Sequence, residues 1–212
     1  MQTRPYPEKD GLRIWLAREE QRALLDLFAE EYPRRQIAFE LGLHGLRTDE
    51  IIQVQPRHFV RMSGTEDRWK LIIPEGKQNY EMQGKRETPV SNDLRQHVKY
   101  LKSASRMRQD ERVIDVSKRS IRNWMGEARE DLVDVFGDED FLMLGMHDLR
   151  RTFATDAYYS LAVAGVPIAE QLVMSWGGWT QSEKGRETFR QNYLGPVPDH
   201  VAAHAVEHLA LV

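Results

Sequence analysis

The sequence predicts a mainly α-helical α+β domain with a small three-stranded antiparallel sheet set between its helices. Apolar residues recur at helical spacing through most of the 212 residues, while three short β-rich runs separated by glycine turns are confined to residues 58–90. The chain shows no internal repeat, low-complexity tract or obvious linker, so one domain is the default at this length.

Residues 17–32 set Leu24, Leu25, Leu27 and Phe28 among charges, the pattern of an amphipathic helix ending near Pro33. A second helix carries Ile37, Leu41 and His44 at helical spacing until Gly42 and Gly45 loosen its end. Thr48, followed by two acids, has the form of a cap for another short helix, with Arg47 at the junction. The β-rich runs lie near residues 58–62, 69–73 and 87–90, joined by turns that contain Gly64, Gly76 and Gly84. Helices resume at the cap Ser91, with Leu94, Val98 and Leu101 on one face, and at Ser117, with Ile121, Trp124, Met125, Ala128, Leu132 and Val135. Their other faces are rich in Arg and Lys, Arg119 and Arg122 among them. The acidic residues 137–140 read as a loop before a helical block that starts near His147. Pro167 suits the first turn of the next helix, which Gly177 and Gly178 end. A last segment surrounds Tyr193, and beyond Pro196 and Pro198 a small amphipathic helix runs over residues 199–211.

Composition removes several kinds of chemistry. With no cysteine, the chain has no disulfide, no thiol nucleophile and no cysteine-based zinc site, so any metal would need His, Asp or Glu. No run approaches the roughly 18–20 apolar residues of a membrane span, and residues 1–10 lack the apolar core of a secretory signal. A soluble, intracellular (cytoplasmic) protein is expected. The net charge of -3 hides an asymmetry: residues 57–129 hold 17 Lys and Arg against 10 Asp and Glu, a net of +7, and the rest carries a net of -10. The middle of the chain is the candidate face for a polyanion.

The most informative stretch is HDLRRTFAT, residues 147–155, because His147 and Arg150 are three apart and share a helix face, so both polar heads should project together. Upstream, GLRTDEIIQV places Arg47 three residues before Glu50; downstream, Gly177, Gly178 and Trp179 precede Asn192 and Tyr193. In this order the set resembles the catalytic domain of the tyrosine recombinase, or phage integrase, family. That family's pattern is an Arg in a Gly-Leu-Arg-x-x-Glu box, a Lys in a β-hairpin, a His-x-x-Arg box, a His or Trp, and a nucleophilic Tyr. The resemblance covers residues 21–194, and by position it makes Arg47 the first arginine, His147 and Arg150 the second box, Trp179 the His-or-Trp and Tyr193 the nucleophile.

The resemblance implies a site-specific DNA recombinase of integrase or excisionase type, working on double-stranded DNA as a homo-oligomer, a tetramer in the synaptic complex, with neither metal nor nucleotide cofactor. It also implies a 3′-phosphotyrosyl link and a free 5′-hydroxyl. Charge that grows on the non-bridging oxygens of an attacked phosphodiester suits planar guanidinium groups. A tyrosine hydroxyl with a reference pKa of about 10 needs a base or a positive charge to lose its proton; His147 is the candidate for that part, with orientation of the phosphate as its alternative role. The leaving sugar alkoxide needs a proton, which a hairpin lysine supplies. Lys77, which follows Gly76, is preferred for that part. Lys85, at the start of the return strand, and its neighbour Arg86 are read as contacts to the DNA backbone, as are Arg119 and Arg122.

Three departures from the family pattern stand out. The hairpin loop is longer than the usual Gly-Lys-Gly turn. Tyr193 follows Trp179 by fourteen positions, more than is usual, so an extra turn is expected between them. Only about 20 residues precede the first helix, so the separate DNA-binding domain of the family is expected to be absent from this chain. Residues 1–198 form the expected catalytic domain. Residues 199–212 form a tail that, if exchanged between protomers, would complete the placement of Tyr193 only on assembly. Tyr158 and Tyr159 are rival nucleophiles better placed to pack in the core. The tail's HAVEH, residues 204–208, has the spacing of one zinc-protease motif, but the chain ends four residues later without the further acidic ligand. A type IB topoisomerase and a non-catalytic DNA-binding protein are the alternatives.

Overall fold

A computed structural model describes residues 1–73 and 86–207. The mainly helical architecture and the three-stranded sheet are as the sequence predicts, with one addition at the start. Gln2–Pro5 (β1) and Leu12–Trp15 (β2) pair antiparallel, Gln2 opposite Trp15 and Pro5 opposite Leu12. In β2 the alternation of faces is concealed because both are covered: Ile14 is fully buried in the main core, while Arg13 and Trp15 are buried on the other side.

Helix α1 spans Arg18–Asp26, shorter than the apolar pattern suggests, because the chain turns there and Phe28 folds back onto Phe39, ring centroids 5.3 Å apart. Tyr32 is non-helical, as expected of a residue before proline, and Pro33 opens α2 (Pro33–Leu43). Helix α2 is enclosed on nearly all sides, with Gln36 through Gly42 buried, and packs on α1 and on later helices. Arg47, not Thr48, is the N-cap of α3 (Thr48–Ile51), and the Glu50 carboxylate accepts from the Arg47 backbone N–H at 2.6 Å. A 3-10 turn at Pro56–His58 then leads into Phe59–Arg61 (β3), Trp69–Ile73 (β4) and Arg86–Val90 (β5), an antiparallel sheet in the order β3-β4-β5.

The serine caps form as expected. Ser91 accepts from the Leu94 N–H ahead of α4 (Asn92–Ala104), and Ser117 from the Ser120 N–H ahead of α5 (Lys118–Phe136). Helix α6 (Met146–Val163) follows, then α7 (Ala169–Gly177), with Pro167 in the turn before α7 and not in its first turn. The long spacing before Tyr193 is taken up by a whole helix, α8 (Glu183–Asn192), capped by Ser182. Helix α9 (Asp199–Val206) lies against α6 of the same chain and buries Val201.

Two apolar clusters result. The larger gathers Ile37, Leu41, Ile51, Leu71, Leu94, Leu132, Phe141 and Leu149; the smaller holds Ala154, Val173, Met174, Trp179 and Phe189. Helix α6 belongs to both, Leu149 to the first and Ala154 to the second. His147 and Arg150 are therefore carried on the element that joins the two halves of the core.

Candidate functional site

Gly45 begins the site. Its φ of +84° turns the chain between α2 and α3, and a Cβ there would lie 2.6 Å from the Phe153 ring, so only glycine fits. The turn aims the Gly45 carbonyl at Arg150, which donates to it through Nη1 and to the Gly177 carbonyl through Nη2. Arg150 is 0% exposed. Its guanidinium carbon lies 4.1 Å from the Trp179 ring centroid and 5.8 Å from that of Tyr193. Burial, followed by the charges of Arg47 and Arg86, lowers its pKa to about 9, so it remains a cation at neutral pH. His147 and Arg150 share a face, but the imidazole reaches solvent while the guanidinium forms an inner wall. Both line an open cleft of about 230 Å³, together with Arg47, Thr48 and Asp49.

Arg47 is held at the other side of this cleft. Its Nη1 donates to the Glu50 carboxylate at 3.0 Å and its Nη2 to the Gly178 carbonyl at 3.2 Å, leaving 47% of the side chain exposed. Glu50 binds a second arginine, Arg86, which also donates to the Trp176 and Gly45 carbonyls. Arg86 is thus 9% exposed and interior, not the surface phosphate contact that its place beside the hairpin suggests. Burial pushes the Glu50 carboxyl up, but the charge of Arg86 and hydrogen bonds from Arg86 and Arg47 outweigh it, and the group is held below its usual range.

Tyr193 is the C-cap of α8, and its ring lies in an aromatic nest: 5.2 Å from His147, 4.6 Å from Trp179 edge-on and 6.4 Å from Phe189. Its hydroxyl makes no hydrogen bond among the described residues. Trp179 reaches this position because Gly177 clears space for it; a Cβ on Gly177 would fall 1.7 Å from the indole ring. The Trp179 Nε1 and Arg150 Nε atoms are buried donors without a protein acceptor among the described residues.

His147 stands in the first turn of α6, where the helix dipole disfavours an imidazolium. Burial, followed by the charges of Arg151, Arg150, Arg47 and Lys9, lowers its pKa from 6.5 to about 4. The imidazole is therefore neutral at pH 7. The unfolded chain takes up this proton near pH 6.5 and the folded chain only near pH 4, so the contribution of His147 to stability is complete above 6.5 and lost as pH falls toward 4. The thermal unfolding midpoint is expected to drop over that window, with a shallower drop in His147→Gln. The remaining slope should include His44, also lowered by burial.

The fold brings Arg47, His147, Arg150, Trp179 and Tyr193 together from four separate segments. Arg119 and Arg122 are exposed on α5, whose first residue, Lys118, pairs with Asp49 at the cleft rim at 2.7 Å. Lys77 and Lys85 lie outside the described residues. Tyr158 and Tyr159 meet edge-on with ring centroids 5.1 Å apart, and the Tyr159 hydroxyl donates to the Gly195 carbonyl at 3.3 Å, away from the cleft. No group of His, Asp and Glu able to hold a metal occurs among the described residues, and none of their helices is long and apolar enough to cross a membrane.

No protein-family model and no curated protein sequence matches the chain. Solved structures do. The XerA recombinase superposes with a TM-score of 0.62 at 15% identity, over 94% of this chain and 66% of its own. The Tn1549 transposon integrase in complex with transposon right end DNA gives 0.56 at 14%, over 97% and 69%. The XerH site-specific recombinase bound to its palindromic difH substrate, in a post-cleavage complex, gives 0.55 at 15%, over 92% and 53%. The fold is that of a tyrosine recombinase catalytic domain. Within the tyrosine recombinase fold, this chain spans 66% of the XerA chain and 53% of the XerH chain.

Glu50 as a junction and a set around Tyr193 comprising Arg13, Trp15, Arg151 and Thr155 are the site residues that the sequence left unmarked, while Arg86 was marked for a different role. Glu50, Arg151 and Thr155 carried a signal as members of the two arginine-containing stretches, and Arg13 and Trp15 carried none.

Proposed function

We propose that this protein is a DNA strand transferase of site-specific recombination, which cleaves and rejoins double-stranded DNA through Tyr193. The observation that carries this reading is the placement of the Tyr193 ring 5.2 Å from His147 and 5.8 Å from the Arg150 guanidinium, at the edge of a cationic cleft. Tyr193 Oη attacks the phosphorus, the bond to the 5′ oxygen breaks, and a 3′-phosphotyrosyl ester forms with a free 5′-hydroxyl. One phosphodiester replaces another, so the reverse step rejoins the strand without a nucleotide cofactor.

Arg47 and Arg150 receive the charge that develops on the non-bridging oxygens, and the unpartnered Trp179 N–H supplies a further donor. His147 takes the tyrosine proton. Burial, followed by the neighbouring positive charges, depresses its basicity; an anionic phosphate in the cleft offsets the charges and so raises that basicity when DNA is bound. Lys77 is assigned the proton for the leaving 5′ oxygen, with Lys85 as the alternative. The exposed Arg119 and Arg122 extend the contact along the backbone. We assign the working state to a homo-oligomer on DNA, a tetramer in the synapse, with the 199–212 tail as the segment that links protomers.

A duplex nicked near the cleavage position, which on cleavage loses the short fragment bearing the free 5′-hydroxyl and so traps the intermediate, tests this. The wild-type protein is expected to give a denaturation-resistant DNA adduct and Tyr193→Phe none, with DNA affinity retained. An adduct formed by Tyr193→Phe overturns the assignment of the nucleophile. DNA binding without any wild-type adduct replaces the enzyme reading by that of a binding protein.

A further inference from the structure

The last turn of α8 presents three carbonyls, Gln191, Asn192 and Tyr193, that have no partner within the helix, as at any helix C-terminus. Side chains from elsewhere take all three. Arg13 Nη1 donates to the Gln191 carbonyl at 2.7 Å, and Arg151 Nε to the Asn192 carbonyl at 3.0 Å. The Tyr193 carbonyl accepts from the Trp15 indole N–H at 2.9 Å and from the Thr155 hydroxyl at 3.0 Å. Two of these donors, Arg13 and Trp15, come from one face of β2, and two, Arg151 and Thr155, from α6. Strand β2 is in turn tied to α6: the Ile14 N–H donates to Asp148 at 3.2 Å and the Leu16 N–H to the Thr152 hydroxyl at 3.0 Å. Just beyond the tyrosine, Gly195 lies flat against the Trp15 ring, where a Cβ would come within 2.7 Å.

From this geometry we infer that the β1-β2 hairpin is a brace for the nucleophile, in which Trp15 and Arg13 are positioning residues that hold the end of α8 and so orient the Tyr193 ring between His147 and Trp179. The inference rests on the proposed role of Tyr193. The donors are chemically matched to a helix end, since Arg13 and Arg151 place positive charge at the negative end of α8 and the Trp15 N–H fixes the carbonyl of the tyrosine itself. Tyr193 is the first residue past the helix, so its ring direction depends on that carbonyl. The bracing is made within one chain, so Tyr193 is set before any partner arrives, in contrast to a tyrosine placed only by an exchanged tail.

The test is Trp15→Phe, which keeps an aromatic ring beside Gly195 while removing the N–H donor together with the fused second ring. Single-turnover adduct formation on the nicked duplex is expected to slow roughly 10- to 100-fold, the size of effect that follows a small misplacement of a reacting group, with DNA affinity unchanged. A substrate with sulfur in place of the leaving 5′ oxygen separates placement from proton donation, since a thiolate leaves without a proton. The defect is expected to persist on that substrate. Wild-type rates in Trp15→Phe, or a defect that disappears with the sulfur substrate, overturn the inference. Should Trp15→Phe not fold, Arg13→Gln carries the same expectations in the same assays. If the wild-type protein itself forms no adduct, the functional reading fails. The brace is then read by hydrogen exchange of the Tyr193 and Leu194 amides, both bonded to the Phe189 carbonyl: faster exchange in Trp15→Phe supports it and unchanged exchange overturns it.

Discussion

Arg150→Ala is expected to eliminate DNA adduct formation and to lower folding stability by about 2–4 kcal/mol, an unusual loss for a residue proposed to bind the phosphate. Arg150 is fully buried, and its removal strands the Gly45 and Gly177 carbonyls, each a buried acceptor whose loss of a donor costs about 1–3 kcal/mol. It also opens a void under the Trp179 ring. Part of the loss is offset, because burial, followed by the charges of Arg47 and Arg86, already disfavours the Arg150 cation and lowers its pKa to about 9. Arg150→Lys keeps a charge but not the planar fork that reaches two carbonyls while lying on an indole. It is therefore expected to retain more stability than Arg150→Ala while still losing roughly 100-fold or more in adduct formation. Urea unfolding and single-turnover cleavage check the two halves separately. Unfolding of Arg150→Ala at the wild-type midpoint would show that the two carbonyl bonds do not support the fold.

Glu50→Ala is expected to be the most destabilising single change at the site, by about 3–5 kcal/mol, because it leaves Arg86 buried beside Arg47 and Arg150 with no negative partner. Arg47 loses its anchor as well, so adduct formation should fall along with stability. Glu50→Gln, which keeps the shape and a carbonyl acceptor, is expected to lose less. The decisive measurement is a double-mutant cycle. If the main damage is the stranded charge of Arg86, adding Arg86→Met to Glu50→Ala should recover much of the lost stability; additive losses would show that the pair does not act as one unit.

The arginine boxes were legible because each is a local pattern: Arg47 caps the helix that holds Glu50, and His147 and Arg150 lie one turn apart on α6. The long Trp179 to Tyr193 spacing likewise announced extra structure, which is α8. The β1-β2 hairpin was not legible. Its strands are four residues each, and β2 lacks polar alternation because its second face is buried against the end of α8. Arg86 was misread for a related reason: in the linear chain it is one more cation beside a basic hairpin, and only its burial against Glu50 makes it interior.

From the sequence alone came the helical periods, the serine caps and the three-stranded sheet, which depend on neighbours a few residues apart, and the order of the arginine, histidine, tryptophan and tyrosine positions, which is a property of the linear chain. Tertiary structure alone decided which charges are buried, which carbonyls they satisfy and where the Tyr193 ring points. Those depend on contacts such as Trp15 with Tyr193 and Arg150 with Gly45, between residues more than a hundred positions apart, which no local spacing encodes.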